Sequence, residues 1–174
     1  RIMGEISLRL PVLSNFACKS AVFQEDAARF AQSVCARFSQ LDVAYFDPPY
    51  NQHPYGSNYF MLNLITDFIN EGKSPNAAGL SRVSGIPADW NRSAYNKKSS
   101  AAEEFFALLA EFPAKFLIIS FNSEGFISKA EFLKNLTKIG SVRTIEIRYP
   151  TYRASRNLNA RELYVTEFLY VVQK

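Results

Sequence analysis

The chain has 174 residues, 48% hydrophobic and 21% charged, which fits one ordinary globular domain with a real core. Its formal net charge of +4 permits a polyanionic partner without requiring one. Two cysteines, Cys18 and Cys35, and one histidine, His53, form neither a C-x-x-C nor a His pair. No metal site is therefore expected, nor a disulfide scaffold, and a reducing compartment is. No stretch has the length of a membrane span and no signal peptide is visible, so no membrane partner is expected.

In chain order, residues 21–25 read as a short strand ending at Asp26. A helix follows, with apolar Ala27, Phe30, Ala31, Val34, Cys35 and Phe38 at helical spacing. Residues 42–46 read as a second strand, stopped by "DPPY". Ser57 is placed to cap a helix over 58–70, with Gly72 past its end. Residues 72–100, rich in Gly and Pro and holding Trp90, read as an inserted loop region. Ser100 to Glu103 and Ser128 to Glu131 each match a capping box and open two further helices, the first to about Phe112, the second stopping before Gly140. Between them "KFLIIS", residues 115–120, reads as a buried strand. Strands over 142–149 and 164–172 close the chain, joined by an Arg- and Asn-rich connection over 150–162.

Strands alternating with helices predict an α/β fold with a mostly parallel sheet. The final connection is too short for a helix, which predicts a terminal antiparallel hairpin. In open α/β sheets ligands bind beyond the carboxyl ends of the strands, and that rule puts Asp26, the 47–50 corner and Asn122 on one rim.

Charge is uneven. Residues 21–71 hold six acids against Arg29 and Arg37, whereas residues 134–161 hold seven Lys and Arg against Glu146 alone. Such a division suggests two kinds of ligand, although taken alone it is better explained by solvated faces.

The corner itself is rigid. Pro48 and Pro49 fix φ and lack N–H groups, and Asp47 before them is pushed to extended geometry. It is either a turn ending a strand or a device holding a carboxylate, a carbonyl and a ring against a flat polar ligand.

With Asp47-Pro48-Pro49-Tyr50 followed by "NQHPYGSNYFMLNLI", "VFQEDA" at 22–27, "SFNSEG" at 120–125 and "YVTEFLYVV" at 164–172, the chain resembles the Dam-like class of N6-adenine DNA methyltransferases. The resemblance runs from about residue 20 onward. It implies a Rossmann-like S-adenosylmethionine-dependent methyltransferase fold, with residues 1–20 as a connecting segment and 21–174 as a partial catalytic domain. The family's Phe-x-Gly-x-Gly loop after its first strand is absent, as are a second strand and its acidic residue, so the fold is expected to lack its first strands.

The resemblance implies residue roles. Asp47 and the Pro48 carbonyl would accept from the exocyclic amine of a flipped-out adenine, with Pro49 fixing their direction and Tyr50 stacking on the base. Asp26 and Asp47 would face the cofactor, S-adenosyl-L-methionine. Asn122 and Tyr55 would wall the base pocket, with His53 beside it; Asn122 equally suits a turn, and Asp26 a helix cap. Arg92, Lys97, Lys98, Arg153, Arg156 and Arg161, together with Arg82, would meet DNA phosphates.

Double-stranded DNA is then the partner, a cognate restriction enzyme the functional companion, and the bacterial cytoplasm the compartment. Self-association through open strand edges is also expected. Related enzymes acting on glutamine or RNA often carry Asn in place of the Asp, so Asp47 favours DNA. The alternative from another class is a truncated, non-catalytic remnant that binds nucleic acid or a partner subunit.

Overall fold

The computed structural model describes residues 10–71, 93–151 and 162–174. Element order is α1 (Ala27–Arg37), β1 (Leu41–Phe46), α2 (Tyr55–Asn58), α3 (Phe60–Glu71), a 3-10 turn (Ala94–Asn96), α4 (Ala101–Glu111), β2 (Ala114–Asn122), α5 (Lys129–Leu136), β3 (Ser141–Pro150) and β4 (Tyr164–Gln173). The four strands form one sheet in the order β1-β2-β4-β3. β1 and β2 pair in parallel, with Phe46 opposite Ile119; β4 pairs antiparallel with both β2 and β3. Among the described residues three strands therefore point one way and β4 the other, so only one of the three pairings is parallel. The mostly parallel expectation holds for strand direction and not for pairing. The long path between β1 and β2 carries helices, as a parallel pairing needs, and the hairpin ends antiparallel as its short connection dictates.

One sheet face is packed. Ala44 of β1, Leu117, Ile119 and Phe121 of β2, and Phe168, Tyr170 and Val172 of β4 are buried there in one core with Ala31 of α1, Phe105, Leu108 and Leu109 of α4, and Phe132 and Leu136 of α5. Phe132 is the hub. Its ring lies 4.6 Å from Tyr170, stacked, 4.8 Å from Phe121 and 5.4 Å from Phe106. Each such ring pair adds about 0.5–1.5 kcal/mol beyond burial. The strands alternate as a half-buried sheet must, so the residues between these project to the other face. Among the described residues that face is poorly covered: Val43, Tyr45 and Ile147 are 53%, 61% and 62% exposed.

Helix starts differ in detail from the sequence reading. Ser128 caps α5 through a bond from the Glu131 N–H, as its capping box predicts. Ser100 stands at the start of α4 as expected, but its hydroxyl donates to the Ala94 carbonyl at 3.0 Å and accepts from no helix N–H. Ser57 is not a cap. Pro54 starts α2 one turn earlier, Ser57 donates back to its carbonyl, and Tyr59 separates α2 from α3.

The strand expected over 21–25 does not form. A strand needs a lateral partner, and among the described residues none lies beside it; Val22 is 96% exposed. Phe23 instead packs on Phe30 of α1 at 5.3 Å. The outer edge of β1 likewise has no paired strand among the described residues. Of residues 5–10, "EISLRL", all but Leu10 lie outside the described residues, and Leu10 is 93% exposed.

Candidate active site

Parallel pairing of β1 with β2 sets the site. β1 stops at Phe46, so Asp47 leaves the sheet beside Ser120, while β2 runs on to Asn122. β4 lies on the other side of β2 and brings Glu167 opposite Asn122. The double proline turns the chain inward. Pro48 is buried, and Pro48, Pro49 and Tyr50 line a small apolar space with Tyr95, Ala101, Phe105, Phe121 and Ile127. The Tyr50 ring rests on Phe121 at 4.7 Å, and its carbonyl accepts from the Phe126 N–H at 2.8 Å.

The Tyr50 hydroxyl is the centre of a polar cluster. It donates to Asp47 Oδ1 at 2.7 Å, lies 2.8 Å from Ser120 Oγ and 3.2 Å from Glu167 Oε1. Ser120 Oγ donates to the same Glu167 oxygen at 3.2 Å, and the Tyr149 hydroxyl donates to Glu167 Oε2 at 3.2 Å. Burial, opposed by the Ser120 bond and reinforced by the Asp47 and Glu167 charges, drives the Tyr50 phenol far above its ordinary range. The hydroxyl therefore stays protonated and remains a donor at any physiological pH.

Asp26 lies at the start of α1, which runs back from the same rim. Its Oδ1 caps the helix, accepting from the N–H groups of Ala28 and Arg29 at 3.0 and 3.2 Å. Beside it opens a cleft of about 700 Å³, lined by Glu25, Asp26, Ser93, Tyr95, Glu104 and Glu111 among others. Tyr95 lines both this cleft and the Tyr50 space, so the two adjoin. Burial, with Asp26 and Glu104 adding, pushes the Tyr95 hydroxyl up to about 12.

No family model and no solved structure matches the chain. It is 28% identical over 158 residues to the Type II methyltransferase M.NlaIII of Neisseria lactamica, covering 88% of this chain and 42% of that protein. It is 29% identical over 150 residues to the Type II methyltransferase M.CviAII of Paramecium bursaria Chlorella virus 1, covering 86% and 40%. It is 26% identical over 179 residues to the modification methylase StsI of Streptococcus sanguinis, covering the whole chain and 25% of that protein. Its homologues are Type II DNA methyltransferases. The chain spans about two fifths of the length of the first two.

Asp47, Pro48, Pro49 and Tyr50 come together at one corner, and Tyr55 stands nearby: burial and the Asp47 charge raise its phenol, and its ring lies 5.6 Å from Tyr59. Asn122 is engaged in a turn, its Oδ1 accepting from the Glu124 N–H at 3.1 Å. His53 sits in the loop, its N–H held by Asn51 Oδ1 at 3.0 Å, and Asn96 fastens that loop by donating to the Asn51 carbonyl. Lys97 and Lys98 are exposed after the 3-10 turn. Arg82, Trp90, Arg92, Arg153, Arg156 and Arg161 lie outside the described residues.

Sequence reasoning missed Ser120, Tyr149 and Glu167. The available signal was one acid inside the otherwise apolar "YVTEFLYVV", and a serine closing "KFLIIS". Buried polar groups in strands ask for partners. Among the described residues no cluster of three or more His, Cys, Asp or Glu could hold a metal ion, and no helix is long and apolar enough to cross a membrane.

Proposed function

We propose that the chain carries the catalytic corner of a Dam-like DNA adenine-N6 methyltransferase of a restriction–modification system, acting on an adenine turned out of double-stranded DNA. The observation that carries this reading is Asp47, exposed at the end of a parallel strand with its carboxylate oriented by the Tyr50 hydroxyl at 2.7 Å. The adenine amine is a weak nucleophile because its lone pair is delocalised into the ring. Asp47 and the Pro48 carbonyl would accept its two hydrogens and draw the nitrogen toward a tetrahedral shape. The lone pair would then be free to take a methyl group from a sulfonium donor, which would leave as a neutral thioether, and Asp47 or water would take the surplus amine proton. Tyr50 and Tyr55 would hold the base by their rings, stacking being worth roughly 1–3 kcal/mol per base.

S-adenosyl-L-methionine supplies an electrophilic methyl group on a sulfonium. The acidic cleft fits such a ligand in size and charge: it is about 700 Å³, holds Glu25, Asp26, Glu104 and Glu111, and adjoins the corner through Tyr95. Asp26, although committed as a helix cap through one oxygen, would face the ligand's adenine. DNA phosphates would fall to Lys97, Lys98, Arg92, Arg153, Arg156 and Arg161, with Asn122 as pocket wall. A cytoplasmic compartment and a companion restriction enzyme follow from the same reading.

A second reading has one observation in its favour: the outer edge of β1 has no paired strand among the described residues. On that reading the chain is a non-catalytic remnant that binds nucleic acid or a partner subunit. Self-association through that edge belongs to either reading.

The test is methyl transfer from labelled donor to DNA, with the modified base identified after digestion. In a preparation whose parent methylates DNA, Asp47→Ala is expected to lose at least about 10²-fold in turnover while donor binding persists by calorimetry. Near-parental turnover would remove Asp47 from the chemistry, and label on a base other than adenine would correct the substrate.

A further inference from the structure

The Tyr50 hydroxyl has three acceptors within reach and one hydrogen to give. At 2.7 Å it is given to Asp47 Oδ1, the carboxylate that the proposed chemistry needs for the substrate amine. A carboxylate oxygen already holding a phenol hydrogen is a poorer acceptor for a second donor. The same hydroxyl lies 2.8 Å from Ser120 Oγ, whose own hydrogen points to Glu167 Oε1 at 3.2 Å. Turning the phenol hydrogen about its C–O bond moves it from Asp47 to Ser120, or directly to Glu167, with no heavy atom displaced. Glu167 suits the part. It is half-buried, its second oxygen is held by Tyr149 at 3.2 Å, and a carboxylate accepts several hydrogens at once.

We infer that Glu167 is a positioning residue that, through Ser120, draws the Tyr50 hydroxyl off Asp47 when the target amine arrives, so that Asp47 is held in place before binding and released for it. This rests on the reading of Asp47 as acceptor for the amine. The exchange trades a charge-assisted bond for a weaker one, and the amine's N–H restores the charge-assisted bond on Asp47. A purely structural Glu167 would anchor Tyr50 and Tyr149 and nothing more. The two roles differ in one respect: the exchange acts only through the Tyr50 hydroxyl.

The experiment is a double-mutant cycle of Glu167→Gln with Tyr50→Phe. It is read as kcat and KM for DNA, beside NMR of tyrosine labelled at the hydroxyl-bearing carbon. Glu167→Gln alone is expected to lower kcat roughly tenfold, with KM little changed, since a hydrogen bond to a charged group is being replaced. In the Tyr50→Phe background the same change is expected to have no further effect. Glu167→Asp should restore part of the loss. The Tyr50 resonance, assigned by its disappearance in Tyr50→Phe, should move in Glu167→Gln. An equal loss in both backgrounds, no loss at all, or an unmoved Tyr50 resonance would overturn the exchange alone. A parent that places no methyl group on DNA adenine would overturn the underlying reading and the exchange with it.

Discussion

The two faces of the sheet are built from the same kinds of residue and have opposite fates. On one, Leu117, Ile119, Tyr170 and Val172 are all at 0% exposure beneath α1, α4 and α5. On the other, Val43, Tyr45, Phe116, Ile145 and Ile147 are between 37% and 62% exposed. Ser120 projects to this second face yet is only 8% exposed, because Tyr50 and Glu167 close over it. The difference teaches that apolar character decides where a layer could pack, and that the helices present decide where one does. It also locates the candidate site, at the strand ends where the Tyr50 ring rests on the packed core and its hydroxyl meets the polar groups of the open face.

The comparison breaks most visibly at Phe132. Phe132→Ala should cost about 3–5 kcal/mol in denaturant unfolding, since its ring packs against four others in the packed layer. Ile147→Thr, on the open face, should stay within about 0.5 kcal/mol and reduce association in light scattering. Similar costs for the two would mean that the faces are not energetically distinct.

A middle-sized effect is expected at the open end of the β3–β4 hairpin. A Cβ on Gly140 would collide with the backbone carbonyl of Gln173, so the start of β3 and the end of β4 approach too closely for any side chain there. Gly140→Ala should cost about 1–3 kcal/mol by thermal or chemical unfolding, with a parental stability in that variant counting against the tight approach.

The smallest effect belongs to the exposed rim of β1. Lys115 Nζ meets Asp42 Oδ1 at 2.7 Å, and this partner, by hydrogen bond and then by charge, holds the Asp42 carboxyl below its usual range. A depressed carboxyl stabilises the fold above its unfolded pKa of about 3.9, and that contribution is lost as pH falls through the lower folded value. Asp42 is so exposed that Asp42→Asn should leave the unfolding midpoint at pH 7 unchanged within error. A clear drop would place the pair in a more shielded setting than the open edge of β1.

The candidate site was legible in the sequence as far as its local chemistry goes. Pro48 and Pro49 fix their own backbone, so the corner at Asp47 was readable from four letters. The helical stripe from Ala27, the α5 cap at Ser128 and the short β3–β4 connection were readable for the same reason: each depends on neighbours a few residues away. Strand 21–25 was misread because a strand is completed by a lateral partner, which its own residues do not supply. Ser57 was misread because Pro54 opens the helix one turn earlier, whereas Ser100 does stand at the start of α4 but gives its hydrogen to the Ala94 carbonyl and accepts from no helix N–H. Only the tertiary structure decided that the Tyr50 hydroxyl would meet Ser120, 70 residues on, and Glu167, 117 residues on. That meeting depends on β4 inserting between β2 and β3, a matter of sheet order that no local pattern of residues contains.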